Sequence, residues 1–546
     1  MKKSLSLLSL LLLVLAGVAM LPTQLQISAQ SVYPNVSSEL SPKEMFRVYN
    51  GVDGLSAESP YRPENRLWAG VPNIEVTGKR IWAAIYTGGV KEPDPDGLNH
   101  SVVAVSDDGG ETWVDPYIVN DDPNMPTYMT TPWLAPDGRL FMFIESYGGY
   151  AYSVYTETPE APLDQIEWHF TQENADGTIS GMFSPEYLPY NHKPIAIQNS
   201  TGKEEWLFPT RNWQQLSGGG STNRVGIWVS TDQGKSWELR SVINNPEEIA
   251  ANVTIPEPTL VELGDGRIML LSRIERGKNG GMMRCYSSNG GKSWTDWEYD
   301  LEEPFRGPGS LFNITKLPSG NYLMVNNDNT GARTGLTAYL SKDGGKTFPY
   351  SLLIDRRSSS YPDVAFDEEG RIYIINDAMR YTHNEIRMTI VTEQDIINGS
   401  YSNESTHNLC VFRTSGRDIV SVNFENKLTY DVGTPIETIL ANLPQTIEYV
   451  ASDGAVGNAE GVWNNLRYWK DTAGIYEFYF ESEDIDSDIQ DIHNYLTAYV
   501  TLRETSKGSS GGCGSTIAAN LAAGSVCILP AAGFILKKGR KKNDEI

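Results

Sequence analysis

Short apolar runs, each preceded by a polar turn that contains glycine, recur along the first three quarters of the chain. They follow Gly78 (TGKRIWAAIY), Gly138 (PDGRLFMFI), Gly202 (TGKEEWLF), Gly266 (GDGRIMLLS), Gly320 (PSGNYLMVN) and Gly370 (EEGRIYIIN), at intervals of 60, 64, 64, 54 and 50 residues. Runs this short, rich in β-branched and aromatic residues and bounded by turn signals, predict strands. A second turn recurs in step with the first. Ser106–Trp113 (SDDGGETW), Ser230–Trp237 (STDQGKSW), Ser287–Trp294 (SSNGGKSW) and Ser341–Phe348 (SKDGGKTF) share the pattern Ser-x-Asp/Asn-x-Gly-x-Ser/Thr-aromatic. In such a hairpin the Asp or Asn side chain bonds backbone N–H groups, glycine supplies the turn dihedrals, and the ring packs between neighbouring strands.

The four octapeptides trail Gly78, Gly202, Gly266 and Gly320 by 28, 28, 21 and 21 residues, counted to their first Ser. Two turn markers in phase predict an all-β architecture of six units over residues 45–405, each a four-stranded antiparallel sheet, which is a six-bladed β-propeller. The competing reading is a β-sandwich with coincidental turns. Four octapeptides in step with six turns argue against it.

Beyond the repeats, residues 418–503 hold further strand-like runs, among them Ile419–Phe424, Thr446–Val450, Ile475–Phe480 and Tyr495–Leu502. Turn signals at Ser452-Asp453-Gly454 and Thr472-Ala473-Gly474 separate them. This length and spacing predict an Ig-like sandwich with Trp463 and Tyr476 in its core. The stretch resembles the Ig-like modules of bacterial surface proteins, which implies a role in spacing or glycan contact.

The two ends read as addresses. Met1-Lys2-Lys3 precedes an apolar run from Leu5 to Leu21, so residues 1–29 have the layout of a secretory signal, with cleavage near Ala19 or Ala29. Residues 504–515 form a Gly/Ser-rich linker, and Thr516–Leu536 is an apolar stretch followed by Lys537, Lys538, Arg540, Lys541 and Lys542. Residues 516–542 are therefore expected to be a membrane anchor with a cytoplasmic basic tail. A sorting signal cut near residues 511–515 is the alternative. The expected product is an exported monomer held at the cell surface.

With 44 Lys+Arg against 69 Asp+Glu the chain carries a net charge of −25. Such acidity argues against nucleic acid or an anionic membrane surface as a partner, and any anionic substrate needs a local cluster of arginines. Of four cysteines, Cys513 and Cys527 belong to the tail, and Cys285 lies in a strand-like run. No Cys-x-x-Cys or His-Glu-x-x-His pattern occurs, so neither a metal nor another cofactor is expected.

Chemistry in a propeller gathers at one end of the central channel, on equivalent positions of different units. Glu257 and Tyr361 each stand nine residues before a turn glycine (Gly266 and Gly370), which predicts equivalent strands and one shared face. A Tyr and a Glu facing one channel can serve as nucleophile and base. Arg273 ends the strand after Gly266, and Arg333 precedes the strand leading into the octapeptide at Ser341.

The octapeptides resemble the Asp boxes (BNR repeats) of bacterial sialidase-like propellers. EPTLVELGDGRIMLLSR, from Glu257 to Arg273, resembles the sialidase segment carrying the catalytic Glu and an Arg of the substrate-carboxylate triad. RTGLTAYLSKDGGKTF…SSSYPDVAFDEEGRIYII, with Arg333 and Tyr361, resembles the segment carrying another triad Arg and the catalytic Tyr. The resemblance implies Tyr361 as nucleophile, Glu257 as its base, Arg273 and Arg333 as carboxylate ligands, and Asp94 in the loop EPDPDGLN as acid/base. For Asp94 a solvated Pro/Asp-rich loop is an equal alternative.

One position departs from the family. Sialidases open the first blade with Arg-Ile-Pro, whose Arg is the first of the triad; here the stretch reads Gly70-Val71-Pro72. Two arginines orient a carboxylate less firmly than three, so poor turnover of ordinary sialosides is expected unless another residue compensates. Arg211, in FPTRNW of another unit, is the candidate to point inward. The leading reading is an exo-acting glycoside hydrolase of sialidase type acting on terminal sugars of glycans. The alternatives are a propeller lyase or glycosidase on uronic acid glycans, with Tyr361 or His100 as base, and a non-catalytic glycan-binding surface protein.

Overall fold

A computed structural model of the chain describes residues 40–504, except 93–97, 123–126, 147–149, 185–186, 189–191, 216–220, 245–256, 275–279, 415, 466, 487–488 and 492. The expected leader at 1–29, Asp94 and everything from residue 505 onward, including the expected anchor, lie outside the described residues. Among the described residues no helix is long and apolar enough to cross a membrane.

The fold is all-β, and the two turn markers set its sheets. Each of the six turn glycines closes a hairpin, as between Trp68–Thr77 and Arg80–Gly88, or Pro258–Glu262 and Ile268–Arg273. All six have positive φ, from +56° at Gly78 to +86° at Gly138, a region closed to most side chains. Each octapeptide joins the next two strands of its unit. Ser106 donates to Asp108 at 2.8 Å, Gly110 N–H donates to Ser106, and Thr112 N–H donates to Asp108, both at 2.9 Å. The other three repeat this arrangement.

Strands 313–412 join into one seven-stranded sheet through the 17-residue strand Tyr350–Phe366. Its first half pairs with Thr334–Ser341 and its second with Ile372–Ala378, so a four-stranded meander lies on either side of the exchange. Large side chains fill the spaces between sheets; Trp133 and Trp206, from neighbouring units, meet edge to face with ring centroids 4.8 Å apart. Because the strands alternate in direction, first-strand starts and second-strand ends share one end of each sheet. The turn glycines and octapeptides occupy the other.

A part-buried lysine ties the first strands together. Lys193 donates to the carbonyls of Ile74 (2.6 Å) and Val364 (2.9 Å) and lies 3.3 Å from Glu75 and 3.2 Å from Asp363. Asp363 in turn accepts from Ile74 N–H and the Asn313 amide, both at 2.9 Å, and Glu75 accepts from Leu134 N–H at 3.1 Å. Residues from five of the six repeats therefore meet around one cation. Burial pushes the lysine toward neutrality, but the two carboxylates outweigh it and hold it charged.

Residues 417–503 form two four-stranded sheets, one containing Thr446–Ala451 and the other Gly474–Glu481. Trp463 and Tyr476 are buried in the core between them with Ile419, Ile447, Phe478 and Val500. This module packs on the last repeat: Tyr401 bridges to Ile475, His407 meets Glu477 at 2.5 Å and Arg356 meets Glu481 at 3.1 Å. Cys285 is fully buried and burial pushes its thiol up, as for a small apolar core residue.

Candidate active site

Three X-Pro steps build the site. Val71-Pro72, Glu257-Pro258 and Tyr361-Pro362 each stand at a first strand, and the residue before proline has positive φ: +51°, +61° and +53°. At Val71 and Tyr361 the sheet register slips, between Gly70 and Asn73 and between Ser360 and Asp363. Proline suits such a break because it has no N–H to contribute to the ladder. A left-handed conformation at a bulky residue costs on the order of 1–3 kcal/mol, and such strain collects at functional sites.

Tyr361 and Glu257 meet, although 104 residues separate them. The Tyr361 hydroxyl donates to Glu257 Oε1 at 3.2 Å, and Glu257 has no solvent exposure. Arg273 grips the same carboxylate, with Nη2 2.9 Å from Oε1 and Nε 2.5 Å from Oε2. A buried carboxylate requires such a counter-charge. Its other Nη donates to Gly309 C=O at 2.6 Å, and Arg333 donates to the same carbonyl at 2.9 Å. His192 Nε2 lies 3.1 Å from the Glu257 carbonyl; burial lowers its pKa to about 4, so the ring is neutral.

Sequence reasoning missed Arg380. Its guanidinium carbon lies 4.7 Å from the Tyr361 ring centroid and 5.1 Å from that of Trp68, while Arg333 and Arg273 lie 5.3 and 5.9 Å from the Tyr361 ring. Arg380 is 5% exposed, pairs with Glu92, and lies 3.7 Å from Asp377. A Cβ built on Gly70 would stand 3.0 Å from Arg380 Nε and 2.8 Å from the Trp68 ring. Arg380 thus fills the space where a residue-70 side chain would begin, and three arginines surround Tyr361. Burial pushes the phenol up to about 12, although all three arginines pull it down. At neutral pH Tyr361 is protonated, and the carboxylate its hydroxyl touches is Glu257.

Other expected residues fall elsewhere. Arg211 lies near Glu145, whose carboxyl feels its charge. His100 is buried edge-on to Tyr61, and burial lowers its pKa to about 3. Asp94 lies outside the described residues; from the same loop, Glu92 reaches Arg380.

The chain matches one curated protein over part of its length. A sialidase from Micromonospora viridifaciens is 26% identical over 347 residues, which is 57% of this chain and 50% of that protein. The chain therefore spans about half the length of this relative. Among solved structures, the leech intramolecular trans-sialidase matches 61% of this chain and 69% of its own at 11% identity and a TM-score of 0.46. An α-L-arabinofuranosidase of Fusarium graminearum matches 64% of this chain and 99% of its own at 12% identity and a TM-score of 0.44. The model of the BNR repeat-like domain matches residues 80–374, more than half of the sequence, and the chain belongs to that family.

Proposed function

We propose that this protein is an exo-acting glycoside hydrolase of sialidase type, built on a six-bladed propeller and acting on terminal sugars that carry a carboxylate at the anomeric carbon. The observation that carries the reading is the Tyr361–Glu257 hydrogen bond inside a ring of three arginines. Dividing the seven-stranded sheet at Tyr350–Phe366 gives six meanders, and the Lys193 hub supports their closure around one axis.

In this mechanism Arg273, Arg333 and Arg380 hold the sugar carboxylate. The Tyr361 oxygen attacks the anomeric carbon while its proton passes to Glu257, and the bond to the leaving oxygen breaks. Asp94, assigned by resemblance, protonates that oxygen and then activates the water that hydrolyses the glycosyl-tyrosine. A phenol suits this substrate because a carboxylate nucleophile would be repelled by the sugar's own carboxylate; sialidases are among the exceptions to the two-carboxylate pattern. Phenol attack needs a base, and Glu257 is already at hydrogen-bond distance.

The expectation of poor sialoside turnover rested on a gap at residue 70. Arg380 removes that ground, and with it the main argument for a non-catalytic protein. A lyase with His100 as base is disfavoured by that ring's burial. The two four-stranded sheets after the repeats fit an Ig-like module, and residues 1–29 and 516–542 fit export and surface anchoring.

The test is a screen of the ectodomain against aryl glycosides of sialic, uronic and neutral sugars. Release of aglycone from the sialoside alone is expected. Cleavage of uronides with an unsaturated product, or saturable binding without turnover, contradicts the proposal.

A further inference from the structure

The module and the last repeat meet around a cavity of about 500 Å³. One wall is the first half of the strand Tyr350–Phe366, from Leu352 to Arg357, with Met379, Glu385 and His407 beside it. The other comes from the strand Gly474–Glu481, with Ser482, Ile485, Asn494, Leu496 and Thr497. Tyr361, Glu257, Arg273, Arg333 and Arg380 are not among the described residues that line it. The cavity follows from the way the two parts are joined, largely by polar contacts: a backbone bridge from Tyr401 to Ile475 and the ion pairs of Arg356 and His407. Two β layers held together in this way leave space that the close packing of a single core would fill. The volume falls within the roughly 300–1,000 Å³ of small-molecule sites.

The charged side chains of the lining are already matched. Arg356 meets Glu481 at 3.1 Å, Arg357 lies 2.9 Å from both Asp355 and Glu385, and His407 meets Glu477 at 2.5 Å. His383 stands 3.8 Å from Glu385. Arg467 lies 3.5 Å from Asp328, and Asp486 lies 2.9 Å from Arg417, both partners standing outside the lining. Asp491 accepts the N–H groups of Tyr495 (2.7 Å) and Leu496 (2.8 Å), and burial pushes its carboxyl up toward the neutral form. An anion or a cation entering here would have to break a pair to find its counter-charge, which is costly away from water.

A neutral ligand meets no such obstacle. A carboxylate offers about four lone-pair sites, so one engaged in a single ion pair still accepts from hydroxyl groups. Glu481 and Asp486, with side chains 51% and 66% exposed, stand open to an incoming ligand. Asn465, Ser482, Asn494 and Thr497 add neutral donors and acceptors, and Ile354, Ile485 and Leu496 supply apolar faces between them. Apolar faces interspersed with hydrogen-bonding groups match a sugar ring, which carries C–H faces and a rim of hydroxyls.

We infer that this cavity is a second binding site, for a neutral saccharide of one or two units held between the last repeat and the module. The inference is independent of the hydrolase reading, because the residues around Tyr361 take no part in it. A ligand touching both walls also stabilises the folded chain, in proportion to its occupancy.

The experiment uses the full-length protein with lactose, maltose and cellobiose at about 10 mM, followed by saturation-transfer NMR and by thermal melts. At least one of the three is expected to bind and to raise Tm with concentration. Thr497→Trp, on a strand where an aromatic residue is well tolerated, places an indole in the cavity and should weaken that binding by about tenfold or more. Ser482→Trp fills the cavity from another position and covers the case in which Thr497→Trp fails to fold. N-acetylneuraminic acid and spermidine serve as the anionic and cationic counterparts, and neither should show binding that these substitutions abolish. Failure of all three disaccharides to bind, or binding unchanged in the folded variants, overturns the site. Binding of either charged probe that the substitutions abolish overturns the assignment of a neutral ligand. Release of aglycone from a sialoside, measured separately, judges the hydrolase reading and is untouched by any of these results.

Discussion

Replacing Arg380 by Ala should separate its binding role from its structural one. The guanidinium lies between Glu92, Asp377 and the Tyr361 ring. Loss of one charge-assisted contact to a substrate carboxylate costs about 2 kcal/mol, roughly 30-fold in kcat/KM. The fold also pays, because Asp377 is fully buried and, among the described residues, is left with Ser360 (2.6 Å) and the Val71 N–H (3.2 Å) as side-chain partners. Breaking a buried pair costs about 3–5 kcal/mol, which a domain with 5–15 kcal/mol of stability survives, so roughly the same fold should persist with a lower Tm. The discriminating step adds Gly70→Arg. In the wild type its Cβ meets Trp68 at 2.8 Å and Arg380 Nε at 3.0 Å, so Gly70→Arg should be strongly harmful. In the Arg380→Ala background the Arg380 obstacle and the like charge are gone, so the same change should do less harm, a coupling of about 1–2 kcal/mol. Kinetics on an aryl sialoside with thermal melts of all four proteins measure it. If Arg380→Ala lowers Tm but leaves kcat/KM within about threefold, or Gly70→Arg is equally harmful in both backgrounds, the reasoning is refuted.

Three further outcomes follow from the same geometry. Glu257→Gln removes the acceptor of the Tyr361 proton and frees Arg273, so kcat should fall by about 10²–10⁴ while the free sugar acid binds at least as tightly by calorimetry; a kcat within tenfold contradicts it. Lys193→Met strands Glu75 and Asp363 without their cation, and urea titration should show a loss of about 3–5 kcal/mol; under about 1 kcal/mol contradicts the hub. For His407, burial opposes the charged ring, but Glu477 at 2.5 Å outweighs it and raises the pKa. That contribution is full below the ordinary histidine pKa and disappears as pH rises through the folded value. His407→Gln should therefore destabilise more at about pH 5.5 than at about pH 9, and an equal loss at both contradicts the pairing.

The repeats were legible because each turn needs a glycine at positive φ and an Asx side chain, requirements local to eight or ten residues. Counting from those glycines also found Glu257 and Tyr361, since equal phase on equivalent strands means a shared face. Arg380 was hidden from that count. It stands beyond the strand Ile372–Ala378, in a segment with no apolar rhythm, and its partner Glu92 is 288 residues away. Gly70 read as a loss from sequence because its lack of a side chain makes room for that distant arginine. The X-Pro steps at residues 71, 257 and 361 were visible, yet only the positive φ values show that they mark the site.

The central claim is that Tyr361 attacks the sugar with Glu257 as its base. It is tested most directly by trapping the intermediate with a fluorinated sialosyl fluoride, which forms the glycosyl-enzyme faster than water releases it. Mass spectrometry of the intact protein should show one added sugar, and peptide mapping should place it on Tyr361, with no adduct on Tyr361→Phe. An adduct on any other residue, or turnover by Tyr361→Phe close to that of the wild type, would contradict the account.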